Sequence, residues 1–213
     1  MNISDLIKQK QIEWAKNKGI KLARSHNYTG YVEVEADKKK KKKLNSETKR
    51  EIGGGSGNEL KGTDLKHAKI GALHSSSALG VNIFDYWREV KDLTQLSRVL
   101  GVAERKKMNG KVSFEKQLPI FKSGTPPNID VFIEFEEAGL KYIAIECKFT
   151  EAYTKSNNKA PFSETYFTSP KVQQEDIWDG LLETKGLAKN LSAGFEKFDY
   201  LDTPQLIKHL LGL

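Results

Sequence analysis

Residues 128–135, Asn-Ile-Asp-Val-Phe-Ile-Glu-Phe, and residues 141–149, Lys-Tyr-Ile-Ala-Ile-Glu-Cys-Lys-Phe, most narrow what this chain can fold into. Both read as β-strands rich in β-branched and aromatic residues, and each carries an acid embedded among apolar neighbours. Side chains alternate along a strand, so Glu146 and Lys148 point one way while Ile145, Cys147 and Phe149 point the other. A carboxylate and a lysine on one face of an apolar strand are costly to keep unless they pair or bind something. If the preceding strand lies alongside, Asp130 joins them.

Asp130, fifteen intervening residues and then Glu146-x-Lys148 resembles the PD-(D/E)XK motif of the restriction-endonuclease-like nuclease superfamily. The first half of the motif departs in one respect, since Pro127 stands three residues before Asp130 rather than beside it. The resemblance covers about residues 112–151. It implies a metal-dependent nuclease that hydrolyses DNA phosphodiester bonds. Asp130 and Glu146 would then ligate Mg2+ or Mn2+, hard cations suited to carboxylate and water oxygens, with the Cys147 carbonyl as a further ligand. Lys148 would position the attacking water or stabilise charge growing on the phosphate.

Many relatives place another acid ahead of the aspartate; Glu115 is the candidate third metal ligand, with Glu89 as competitor. Some exonuclease-type relatives bring a glutamine to the site, a place that Gln205 suits better than Gln174. Each has a plainer reading: Glu115 and Glu89 as surface carboxylates, Gln205 as a helix-opening residue. Glu146-x-Lys148 itself could be an ion pair on an exposed sheet face.

The rest of the chain supplies the context. A helix is expected over residues 4–18, with Ser4 as N-cap, and helices over 75–100, where Ser75-Ser-Ser77 supplies capping hydroxyls and Gly101 a stop. Strands are expected over 112–120, 130–135 and 141–149, a helix from Pro170 through Leu182, and a last helix after Asp202-Thr-Pro204. Thus the fold class is α/β, a restriction-endonuclease-like mixed sheet flanked by helices. The superfamily core runs helix, three strands, helix, strand, and a fourth strand is missing here. A truncated chain, or a strand supplied by another protein, would account for that.

All the excess positive charge lies early. Residues 1–70 hold 17 Lys and Arg against 9 Asp and Glu, whereas residues 71–213 hold 18 against 19. Six consecutive lysines, Lys38 to Lys43, precede Gly53-Gly-Gly-Ser-Gly57, and the short alternation of residues 31–35 runs into them. Self-repulsion and glycine entropy point to a basic, partly disordered arm over residues 1–62, followed by a nuclease-like domain over 63–213. Such an arm would neutralise nucleic-acid phosphates, or simply be solvated.

Other chemistries find no support. A lone cysteine, Cys147, excludes an internal disulfide framework, and four histidines show no zinc-ligand spacing. No signal peptide or spanning segment is legible, so a cytoplasmic location is expected. The expected partner is nucleic acid, most simply DNA, with a homodimer or a partner subunit left open. Two rivals share the fold: a catalytically silent nucleic-acid-binding module, and a nuclease subunit completed by another protein.

Overall fold

The structure, a computed structural model, describes residues 1–23, 29–33, 44–54, 59–61, 67–102, 107–122, 124–136, 139–155, 161–168 and 176–213. The chain divides into two compact units. The first comprises Met1–Lys116 with Asn128–Thr150, the second Gln117–Pro127 with Glu151–Leu213.

The first unit holds helix α1 (Ile3–Asn17), helix α2 (Ser46–Gly54), helix α3 (Ser76–Arg88) and the short helix α4 (Thr94–Val99). Its sheet is antiparallel in the order β1 (Gly110–Gln117), β2 (Asn128–Phe135), β3 (Tyr142–Ile145). The α/β class therefore stands, with antiparallel strands where the sequence suggested a mixed sheet, and no fourth strand among the described residues. Alternation sets the faces. Val131, Ile133 and Phe135 turn to a core shared with Val112, Phe114, Val81, Phe84 and Cys147. Each such fully buried side chain contributes about 1.5–3 kcal/mol.

Helix α3 lies on this face because Gly80 lets it approach. A Cβ added there would stand 3.1 Å from Cys147 Sγ and 3.2 Å from Val131 Cγ2. Its start is set by Ser75, whose hydroxyl accepts the Ala78 N–H at 3.1 Å, as the capping reading expected. At α1 the cap is Asn2 rather than Ser4: its side chain accepts the Asp5 N–H at 2.8 Å.

Helix α2 falls within the stretch expected as an arm over 1–62. Thr48 and Ile52 are buried, and Ile52 joins the core cluster. The helix is held by charge as much as by apolar contact. Arg88, with only 3% of its side chain exposed, meets Glu51 and Glu47 of α2 and Asp85 of its own helix, and its guanidinium lies over the Phe114 ring. Residues 31 and 32 form single antiparallel bridges to Ala72 and Leu22. The Lys38–Lys43 run lies outside the described residues.

Entry into β1 requires a residue without a side chain. A Cβ on Gly110 would fall 2.2 Å from the Glu134 carbonyl oxygen, a main-chain atom that cannot swing aside. Gly110→Ala is therefore expected to cost about 3 kcal/mol in a urea titration. An unchanged midpoint would mean that β1 shifts freely.

The second unit contains helices α5 (Leu182–Ala193) and α6 (Thr203–Gly212), gathered around Phe162, Trp178, Ala188, Leu191 and Ile207. Of the helix expected from Pro170 through Leu182, residues 170–175 lie outside the described residues, 177–180 form a turn ending in Gly180 at φ 69°, and α5 begins at Leu182. The last helix starts as expected, with Asp202 accepting the Gln205 N–H at 3.1 Å.

Candidate active site

The register of β2 on β3 brings the acids together. Val131 pairs with Ile145 and Ile133 with Ile143, so one step further sets Asp130 opposite Glu146. Both lie on the face away from the apolar core, since Val131 and Cys147 alternate into that core. The Cys147 N–H donates to Asp130 Oδ2 at 2.7 Å, pinning the aspartate where the regular pairing ends. Lys148 shares the face of Glu146, and its Nζ stands 2.6 Å from Glu146 Oε1. Glu146 is the more enclosed, with 12% of its side chain exposed against 34% for Lys148.

Glu115 arrives from β1 with an unusual backbone. Its φ of 50° is the one left-handed value at a non-glycine among the described residues. Such a conformation costs on the order of 1–3 kcal/mol and persists where the surroundings over-determine it. Asn128 Nδ2 donates to Glu115 Oε2 at 3.1 Å. Burial, followed by the negative charge of Asp130 and smaller contributions from Glu59 and Glu146, pushes the Glu115 carboxyl up to about 7. The structure thus gathers Asp130, Glu146, Lys148 and Glu115.

Glu59 was not anticipated. It lies in a stretch assigned to the arm, yet burial pushes its carboxyl up, an effect that Lys69 opposes and Asp130 reinforces. Its only sequence signal is the neighbouring Leu60, an apolar residue after a glycine run, which packs against the core. The competitor Glu89 instead caps the far end of α3 and accepts from Asn45 Nδ2 at 3.0 Å. Gln205 belongs to the second unit, and Gln174 lies outside the described residues. Burial raises the Cys147 thiol to about 12, which suits a core position and not a nucleophile.

The raised Glu115 fixes a pH dependence. In the unfolded chain its carboxyl ionises near 4.5, in the folded chain near 7. Between those values the folded state holds the proton and the unfolded state does not, so stability falls as pH rises through this window. Glu115→Gln, which keeps an acceptor for Asn128, should flatten that fall. It should exceed wild type at pH 8 by about 2 kcal/mol, after discounting for partial exposure. Thermal midpoints from pH 4 to 8 measure it, and parallel curves for the two proteins would contradict the assigned environment.

A hard oxygen-donor set of this kind suits a divalent cation. Among the described residues, however, no three His, Cys, Asp or Glu side chains already stand in a metal-holding arrangement. Asp130 is engaged by the Cys147 amide and Glu146 by Lys148. No described helix is long and apolar enough to cross a membrane. The family model described as Restriction Endonuclease associating with ARP matches residues 9–213 of the chain. No curated protein and no solved structure matches it.

Proposed function

The chain belongs to that family, REase-ARP, and we propose that it is a nuclease of the PD-(D/E)XK type which hydrolyses DNA phosphodiester bonds with Mg2+ or Mn2+. The observation that carries this reading is the register of β2 on β3: it sets Asp130 opposite Glu146, with the Lys148 ammonium on the same face. Asp130, Glu146 and Glu115 would hold the ion. Burial and, after it, the charge of Asp130 raise Glu115, and the second of these is what a cation would relieve. A metal held by these residues would supply polarisation of a phosphate and a lowered pKa for a bound water.

The chain's own residues do the remainder. The Cys147 amide fixes the Asp130 carboxylate, so one ligand is pre-oriented on a rigid strand end. The Lys148 ammonium is bonded to Glu146 Oε1 on the face it shares with Asp130. There it would act on the phosphate as a compact point charge that stabilises the growing negative charge.

The family description names an association with ARP, which favours a chain that works beside a partner protein. Cleavage of linear, circular and branched DNA with Mg2+ or Mn2+, with and without ARP, tests both points. Metal-dependent cutting by the chain alone supports the full reading, and cutting only with ARP supports a partner-dependent subunit. A folded chain that binds DNA but cuts none under either condition is a silent binding module.

A further inference from the structure

Beside the carboxylates stands an ion pair that the nuclease mechanism leaves unused. Lys69 Nζ lies 3.6 Å from Glu59 Oε1, with 58% of the lysine side chain exposed and only 14% of the glutamate. We infer that Lys69 contacts a backbone phosphate of the bound nucleic-acid strand and that Glu59 positions it. This inference rests on the nuclease reading and adds to it a substrate-binding residue.

Glu59 is anchored at both ends. Its carbonyl accepts the Ile70 N–H at 3.2 Å, and the adjacent Leu60 packs against the core. Its carboxylate also bonds to Ser77 in the first turn of α3. One turn further along α3 is Gly80, the point of closest approach to Cys147 and Val131. The pair therefore sits at the end of the sheet where Cys147 donates to Asp130. The electrostatics agree: Asp130 adds to the rise of the Glu59 carboxyl, and Glu59 adds to that of Glu115.

The chemistry of the substrate calls for such a lysine. Asp130 and Glu146, with Glu59 and the partly protonated Glu115 beside them, set acids where a polyanion would approach, and like charges at this range repel. Lys148 is engaged by Glu146 at 2.6 Å. The Lys69 side chain is 58% exposed while its ammonium is paired with the enclosed Glu59, so a long flexible side chain is held with less entropy left to lose on binding. Such a contact is a point-charge contact that carries no base specificity.

The test is fluorescence anisotropy with a labelled DNA duplex in Ca2+ over a salt series, followed by cleavage in Mg2+. Lys69→Ala is expected to raise Kd about tenfold and to reduce the log–log salt slope by about 1, with its thermal midpoint unchanged. Lys69→Arg should restore most of the affinity, and Glu59→Gln should cost less than Lys69→Ala. In cleavage, KM should rise more than kcat falls. If Lys69→Ala fails to fold, Lys69→Gln takes its place. Wild-type affinity and salt slope in these variants overturn the proposal, as does a wild-type chain that binds no DNA. Salt-sensitive binding that depends on Lys69, without cleavage, instead removes the nuclease reading and leaves Lys69 as a phosphate contact.

Discussion

Lys148→Ala is expected to lose about a hundred- to a thousand-fold in cleavage rate while DNA affinity changes little, because under the proposed mechanism its ammonium would act on charge that develops during the reaction. The geometry makes it sensitive. Lys148 stands 2.6 Å from Glu146 Oε1 on the face shared with Asp130, so removing it takes away the counter-ion of an enclosed carboxylate and, under the proposed mechanism, the donor to the reacting phosphate. The second effect calls for a control. Lys148→Gln keeps a donor near Glu146 without the charge, so it should fold like wild type and remain slow. Thermal midpoints and single-turnover rates on one DNA substrate separate the two effects. Asp130→Asn should fall as far, since it weakens the carboxylate that the Cys147 amide holds in place. Cutting at wild-type rate by folded Lys148→Ala and Asp130→Asn proteins would dismiss this site.

That site was legible because its signal is local. Two apolar runs with embedded acids fix strands by alternation, and alternation fixes which side chains share a face. Strands expected over 130–135 and 141–149 appear as Asn128–Phe135 and Tyr142–Ile145, with Glu146 and Lys148 just beyond the pairing. What sequence reading missed depends on contacts between distant segments. Helix α2, Ser-Glu-Thr-Lys-Arg-Glu-Ile-Gly-Gly, offers no apolar stripe, and its glycines suggest a linker. It forms because Ile52 enters the core and its glutamates meet Arg88. Glu59 follows the same logic: the polar stretch around it gives no period, and Lys69, Ile70 and Ser77, brought in by tertiary folding, hold it in place. Before α5 the apolar spacing of Ile177 and Leu181 suits a helix, but residues 177–180 turn and Gly180 takes φ 69°, a local effect that spacing alone does not show.

Arg88→Ala is expected to cost about 3–5 kcal/mol, the penalty for removing one partner of a buried charge cluster and leaving the others enclosed. For a chain of this size that lowers the thermal midpoint by roughly 10 °C. The guanidinium is the hub of the first unit. It meets Glu51, Glu47 and Asp85, lies 5.1 Å over the Phe114 ring, and is itself almost fully buried. Glu51 in turn accepts the Phe114 N–H at 2.9 Å, which ties α2 to β1 through the same carboxylate. Phe114 immediately precedes Glu115, whose left-handed backbone must be held by its surroundings. Loss of Arg88 should therefore loosen the candidate site as well as the core, and cleavage should fall further than the folded fraction accounts for. Arg88→Lys should recover little, because an ammonium replaces neither the planar fork nor the stacking on Phe114. A double-mutant cycle with Glu51→Gln should show coupling of about 1.5–3 kcal/mol, since the two groups share one network. Additive effects in that cycle, or a wild-type midpoint for Arg88→Ala, would mean that apolar contacts at Ile52 alone hold α2 on the sheet.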